Sequence, residues 1–303
     1  MSKIGIVGLG SMGAPIAGRL LDLQLGNQVY GTNRTRAKAS TLVARGLRWR
    51  DTPREVAAAA DVVISMVTDD AALAAVTEGP DGILAGLRPG AVYVDMSTVS
   101  PKASRELAGR VRAAGAAMLD APVSGSVPAA ESGTLAIMAG GPREAFDKVE
   151  PLLRHLGGNV THVGGNGQGL VLKLAINISL AAQMLAFSEG LLLADRGGID
   201  PKLAADTMAA SAVGSPMLRA RVPLVLDLPR KSWFDMRLMH KDIRLALAAA
   251  RESGLPAPSA AAADAMLTRA EELGYGDRDI AGLFEVLASD APGVPAGAAP
   301  QAG

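Results

Sequence analysis

The segment Ile4-Gly-Ile-Val7 runs directly into Gly8-Leu-Gly10-Ser11-Met12-Gly13, and a helical pattern follows through Ala17 and Leu20-Leu21. Strand, glycine turn and helix in that order open a doubly wound parallel sheet, and few other folds accept them at a chain start. Gly8 permits the tight turn, Gly10 lets a pyrophosphate approach the backbone, and Gly13 allows close packing of helix on strand. Ser11 and Met12 complete a loop whose helix N-terminus faces an anion. A glycine turn without a ligand is the bland alternative. Its placement between strand and helix favours dinucleotide binding.

The second strand, about Gln28 to Thr32, leads to the position that reads the adenosine ribose. NAD-specific sites carry Asp or Glu roughly 20 residues beyond the glycines. Here the chain reads Asn33-Arg34-Thr35 with no carboxylate. Arg34 can stack on adenine and pair with a 2′-phosphate, while Asn33 and Thr35 donate hydrogen bonds. The rival is a solvated basic loop; the position favours NADP(H) over NAD(H). Asp61 to Val67 and Ala91 to Asp95 are further buried strands, so Met66, Val67 and Thr98 fall at carboxyl ends, where an open parallel sheet meets its cofactor. The arginine-rich stretch Arg45 to Arg54, with Trp49 and Pro53, reads as a solvated connection.

The strand Ala117 to Asp120 leads into Ser124-Gly125-Ser126, where a serine and two exposed amides make a carboxylate cradle. A serine nucleophile is the other reading, but no histidine base matches it. After Val163 the pattern turns helical. One apolar run from Gly169 to Arg196, free of proline, reads as a single helix. Gly169, Lys173 and Asn177 lie four apart, so they share a face. Lys173 there can protonate a carbonyl oxygen and Asn177 can orient a small polar substrate. A lysine snorkelling from an amphipathic helix is the plain alternative. Further helices are expected over 201–210, 215–228, 236–253, 257–273 and 277–288.

The organisation expected is an α/β Rossmann-type domain over 1–163, joined by the long helix to an all-α domain over 164–290, with a disordered tail over 291–303. Thirty basic and thirty acidic side chains cancel, which argues against nucleic acid or an anionic membrane as partner. There is no cysteine, so thiolate nucleophiles and cysteine–zinc sites are excluded. The three histidines have no metal-ligand spacing, and no metal is expected. With no room for a signal peptide before the first strand, a cytoplasmic protein is expected. An apolar helix of this length argues for a homodimer or homotetramer.

The glycine fingerprint, the Asp120–Ser126 segment, the Gly167–Asn177 segment and Lys241-Asp242-Ile243, in this order, resemble the β-hydroxyacid dehydrogenase family, related to 6-phosphogluconate and 3-hydroxyisobutyrate dehydrogenases. The match runs from Ile4 to about Leu287. The resemblance implies direct hydride transfer with Lys173 as general acid or base, Asn177 orienting the substrate, and Ser124 and Gly125 holding its carboxylate. It also implies Lys241 closing over the cofactor, and Phe234 and Asp242 lining the site. Asn33-Arg34-Thr35, Ser124-Gly-Ser126 with Pro128-Ala129, and Ala186 to Gly190 are similar to the NADPH-dependent glyoxylate/succinic semialdehyde reductase branch. A 3-hydroxyisobutyrate-type enzyme, an imine reductase-like enzyme and a dinucleotide-binding sensor without catalysis remain as alternatives.

Overall fold

The computed structural model describes residues 3–23 and 28–290, so the expected tail at 291–303 lies outside the described residues. Among them nine strands form one sheet. They are β1 (Lys3–Val7), β2 (Gln28–Thr32), β3 (Arg48–Trp49), β4 (Val62–Ser65), β5 (Val92–Asp95), β6 (Ala117–Asp120), β7 (Val123–Ser124), β8 (Ala136–Gly140) and β9 (Asn159–Gly164). The order is β3-β2-β1-β4-β5-β6-β8-β7, with β9 on β8. β1 to β6 pair in parallel; β8 runs antiparallel to β6 and β7. The chain moves outward from β1 on one side, then returns to β4 on the other. That reversal is the switch point of a doubly wound sheet, where a crevice opens at the strand ends.

Both faces of the sheet are covered, which is why its strands are almost continuously apolar. Alternate residues serve opposite cores: Ile4, Ile6, Ile64 and Val94 enter one cluster, whereas Val7, Val63, Tyr93 and Met118 enter the other. The segment expected to be a solvated connection instead contributes β3 at the sheet edge, pairing Tyr30 with Arg48 and Gly31 with Trp49. An edge strand leaves one side to water, so arginines are tolerated there. The Arg48 and Arg50 guanidinium groups lie 5.8 and 4.7 Å from the Tyr30 ring centroid.

The chain forms two compact units that divide between Lys173 and Leu174, inside the helix Gln168–Arg196. The physical reason lies in what each part of the helix buries. Leu170 belongs to the sheet's core; Ala181, Met184, Phe187 and Leu191 belong to the helical one. The second unit continues with helices Pro201–Ala210, Pro216–Leu226, Met236–Glu252, Pro258–Glu272 and Leu283–Asp290. Asp200, Ser215 and Asp235 each cap the helix that follows, accepting from the N–H of Leu203, Leu218 and Leu238. The last helix was expected from 277. It begins later, after a short 3-10 turn at Ile280–Gly282, because Asp279 caps that turn through the Ala281 N–H.

Candidate active site

The glycine loop is built as a ligand cradle. Gly8 adopts φ +93°, outside the range of ordinary side chains. A methyl group on Gly13 would collide with the Gly8 carbonyl oxygen, whereas one on Gly10 would meet nothing within 4 Å. The helix Gly13–Asp22 has no side-chain cap and no acidic residue in its first turn. Its N-terminal N–H groups are thus suited to a phosphate, and the open side lies at Gly10. A dinucleotide pyrophosphate fits this arrangement.

The loops around the cradle are tied together by polar side chains. Leu9 N–H donates to Asn33 Oδ1 at 3.1 Å, and Asn33 Nδ2 donates to the Thr35 carbonyl at 3.0 Å. Asn33 therefore shapes the loop; Arg34 and Thr35 are exposed. At the ends of β4 and β5, Asp95 Oδ1 accepts from Ser65 Oγ at 2.6 Å and from Ser97 N–H at 3.2 Å. Ser97 Oγ accepts from Val67 N–H at 2.9 Å. This network sets the loops carrying Met66, Val67 and Thr98. Burial raises the Asp95 pKa, with the serine donors opposing it.

In the same unit, the Gly164–Gly167 turn starts the long helix against the end of β6. Asp120, fully buried, accepts from Gly167 N–H at 2.6 Å and Leu170 N–H at 3.1 Å. Burial lifts its pKa to about 6, while these donors and the Asp120 backbone pull it down and Asp95 pushes it up. Lys173 follows one turn after Gly169 and is only 8% exposed. Ser124 and Ser126 are half-buried and Gly125 exposed, at the end of β7.

In the helical unit, Asn177 and Asp242 are brought together from positions 65 residues apart. Asn177 Nδ2 donates to Asp242 Oδ2 at 2.6 Å, with both residues essentially inaccessible. Asp242 Oδ1 lies 2.7 Å from Lys241 Nζ. The Asp242 carboxylate holds the neighbouring amide and ammonium. Because a carboxylate must take the N–H, the Asn177 oxygen points elsewhere, and it has no hydrogen-bond partner among the described residues. Phe234 is half-buried against the helical core. Its loop hangs on Asp279, which accepts from Trp233 and Phe234 N–H at 2.8 and 3.1 Å and sits 3.6 Å from Arg221 Nε. Burial depresses the Arg221 pKa, with Asp279 opposing. The roles of Asp95, Asp120 and Asp279 were not anticipated. The only signal was that β5 and β6, apolar strands, both end in aspartate. Among the described residues, no group of three or more His, Asp or Glu could hold a metal.

The chain is similar to known proteins over most of its length. Residues 3–164 match the family described as the NAD binding domain of 6-phosphogluconate dehydrogenase. Residues 167–287 match the NAD-binding domain of NADP-dependent 3-hydroxyisobutyrate dehydrogenase. The chain is 33% identical over 285 residues to glyoxylate/succinic semialdehyde reductase 2 of Arabidopsis thaliana, covering 94% of this chain and 79% of that protein. It is also 33% identical to 2-(hydroxymethyl)glutarate dehydrogenase of Eubacterium barkeri, covering 94% of each. The solved structure of Mycobacterium tuberculosis 3-hydroxyisobutyrate dehydrogenase with L-serine superposes with a TM-score of 0.83 at 29% identity, over 95% of this chain and 99% of that one. With a nucleotide cradle on a Rossmann-type sheet followed by a helical domain, the chain belongs to the β-hydroxyacid dehydrogenase family and is an oxidoreductase acting on CH–OH groups.

Proposed function

We propose that this enzyme reduces small aldehydes that carry a carboxylate, succinic semialdehyde and glyoxylate foremost, with NADPH. The observation that carries this reading is a buried Lys173 followed, four residues on in the same helix, by an Asn177 whose amide is held by Asp242. NADPH, when bound, supplies the hydride. As it arrives at the carbonyl carbon, charge grows on the carbonyl oxygen; the Lys173 ammonium stabilises that charge and donates its proton there. The Asn177 oxygen, turned away from Asp242, accepts a hydrogen bond from the bound substrate or its alcohol product. Ser124 with the Gly125 and Ser126 amides holds the carboxylate. NADP(H) is preferred because exposed Arg34 follows β2 where NAD-dependent folds place an acid.

The similarity to the Arabidopsis semialdehyde reductase supports the substrate class. The likeness to the 3-hydroxyisobutyrate dehydrogenase structure favours a second reading, oxidation of a β-hydroxyacid by the same residues. The two are separated by following NADPH oxidation with succinic semialdehyde, glyoxylate and methylmalonate semialdehyde, then repeating with NADH. Turnover of the first two with NADPH supports the proposal; turnover of the third alone would replace it. We also propose a homodimer or homotetramer, since Leu193 in the long helix is 75% exposed and Leu203 61%. Sedimentation as a monomer at micromolar concentration would refute this.

A further inference from the structure

The long helix must present Lys173 at a defined height above the sheet; Gly164-Gly165-Asn166-Gly167 precede it, and Gln168 Oε1 turns back to accept from the Gly165 N–H at 2.7 Å. The capping group comes from 47 residues earlier in the chain, at the end of β6. The Asp120 carboxylate spans the helix start, with Oδ1 on the Gly167 N–H and Oδ2 on the Leu170 N–H. Around it the backbone is packed to contact. A methyl group on Gly140 would lie 2.6 Å from the Gly165 oxygen, 2.8 Å from the Gly169 nitrogen and 2.9 Å from Asp120 Oδ2. One on Gly169 would collide with the Met138 oxygen and lie 2.7 Å from the Asp120 oxygen. Asn166 Nδ2 adds a tie to the Met118 carbonyl at 2.9 Å. Helix and sheet can approach this closely only with an anion between the N–H groups and no side chain in the way.

We infer that Asp120 is a positioning residue for Lys173: it clamps the first turn of the long helix to the sheet and so sets where the ammonium stands. This rests on the reading of Lys173 as the proton donor. Lys173 lies one turn beyond Gly169, so any tilt or slip of that first turn moves its Nζ directly. Displacements of about 1 Å at a reacting group can cost about 100-fold in rate. The charged neighbour bearing on Asp120 is Asp95, from β5; Arg105 lies against the turn, its Nη1 2.9 Å from a methyl group added at Gly167. β8 brings no charge. Asp120 touches no part of the nucleotide cradle's hydrogen bonding, so its effect separates from cofactor affinity.

The test is Asp120→Asn in the full chain, which keeps the size but offers one acceptor where two N–H groups need one each. Expected are a kcat about 10- to 100-fold lower, an NADPH Kd from fluorescence titration within about twofold, and loss of amide-exchange protection at Gly167 and Leu170 but not at Met184. Unchanged kcat, or unchanged protection at those two amides, overturns the inference. If the variant does not fold, the unaltered protein decides. Opening of the helix start alone removes the two N–H donors that favour the ionised carboxylate and leaves the carboxylate buried. Opposite in sign to global unfolding, protection of Gly167 and Leu170 and the value of kcat should therefore both rise between about pH 5 and 7. Protection that stays flat, or kcat that ignores it, overturns the inference. Should no aldehyde be turned over at all, the proposed function fails, and the exchange data alone still judge the clamp.

Discussion

Two glycine turns in this protein start helices at the end of a sheet strand, and they use the helix N-terminus in opposite ways. At Gly8–Gly13 no side chain caps the helix Gly13–Asp22, and Gly10 faces open space. At Gly164–Gly169 the same kind of N-terminus is filled from within, by the Asp120 carboxylate. The electrostatics are identical: orphan N–H donors and a partial positive charge that attract an anion. One turn leaves that attraction for a cofactor, and the other spends it on holding a lysine-bearing helix in place. A glycine pattern therefore does not reveal a ligand site until the occupant of the N-terminus is known.

The comparison can be broken most directly through the residue that the second turn positions. Lys173→Ala should lower kcat at least about 100-fold while NADPH binding survives; retained turnover in a folded variant would remove the reason for the clamp. Next in size is a methyl-group contrast. Gly169→Ala should destabilise the fold by about 1–3 kcal/mol, because the added carbon strikes backbone. Gly10→Ala should leave thermal stability within about 0.5 kcal/mol and weaken only cofactor binding, since nothing in the protein opposes it. Equal destabilisation by both would erase the distinction between an open and a filled turn.

Cofactor choice belongs to the open turn alone. Arg34→Asp should weaken NADPH binding by about 10- to 100-fold, the worth of a charge-assisted contact, and favour NADH. Equal use of the two cofactors by the unaltered protein would refute that role for Arg34. A pH dependence unique to the filled turn is also expected. The Asp120 pKa is raised to about 6 from 3.8. The folded chain therefore binds more protons than the unfolded one between those values. Its contribution to stability falls as pH rises through that window, by about 3 kcal/mol at most, and is level above it. Melting temperatures of the parent relative to Asp120→Asn, taken from pH 4 to 8, should show that decline ending near pH 6.

Much of the fold was legible because it rests on local signals. Apolar strands, the strand–glycine–helix unit and proline or aspartate at helix starts need only neighbouring residues to be recognised. The two-residue strand at Arg48–Trp49 was missed because its pairing with β2, rather than its composition, makes it a strand. The candidate site was half legible. Lys173 and Asn177 share a helix face by spacing alone, whereas Asp242 entered only through the family resemblance, with no partner assigned to it. Its capture of Asn177 Nδ2, 65 residues away, depends on helix packing in the second unit. The same holds for Asp279, whose grip on the Phe234 loop links positions 45 residues apart.

The sequence by itself determined the class of fold, the nucleotide-binding loop, the absence of an acid after β2, and the long helix with its lysine and asparagine. Each follows from chemistry within a few residues along the chain. Only the tertiary structure decided what the buried aspartates do: Asp120 caps a helix, Asp242 orients an amide, and Asp279 holds a loop. A buried carboxylate is costly unless its lone pairs are met, so its role is set by whichever donors the fold delivers to it. Those donors lie dozens of residues away, where no spacing rule reaches.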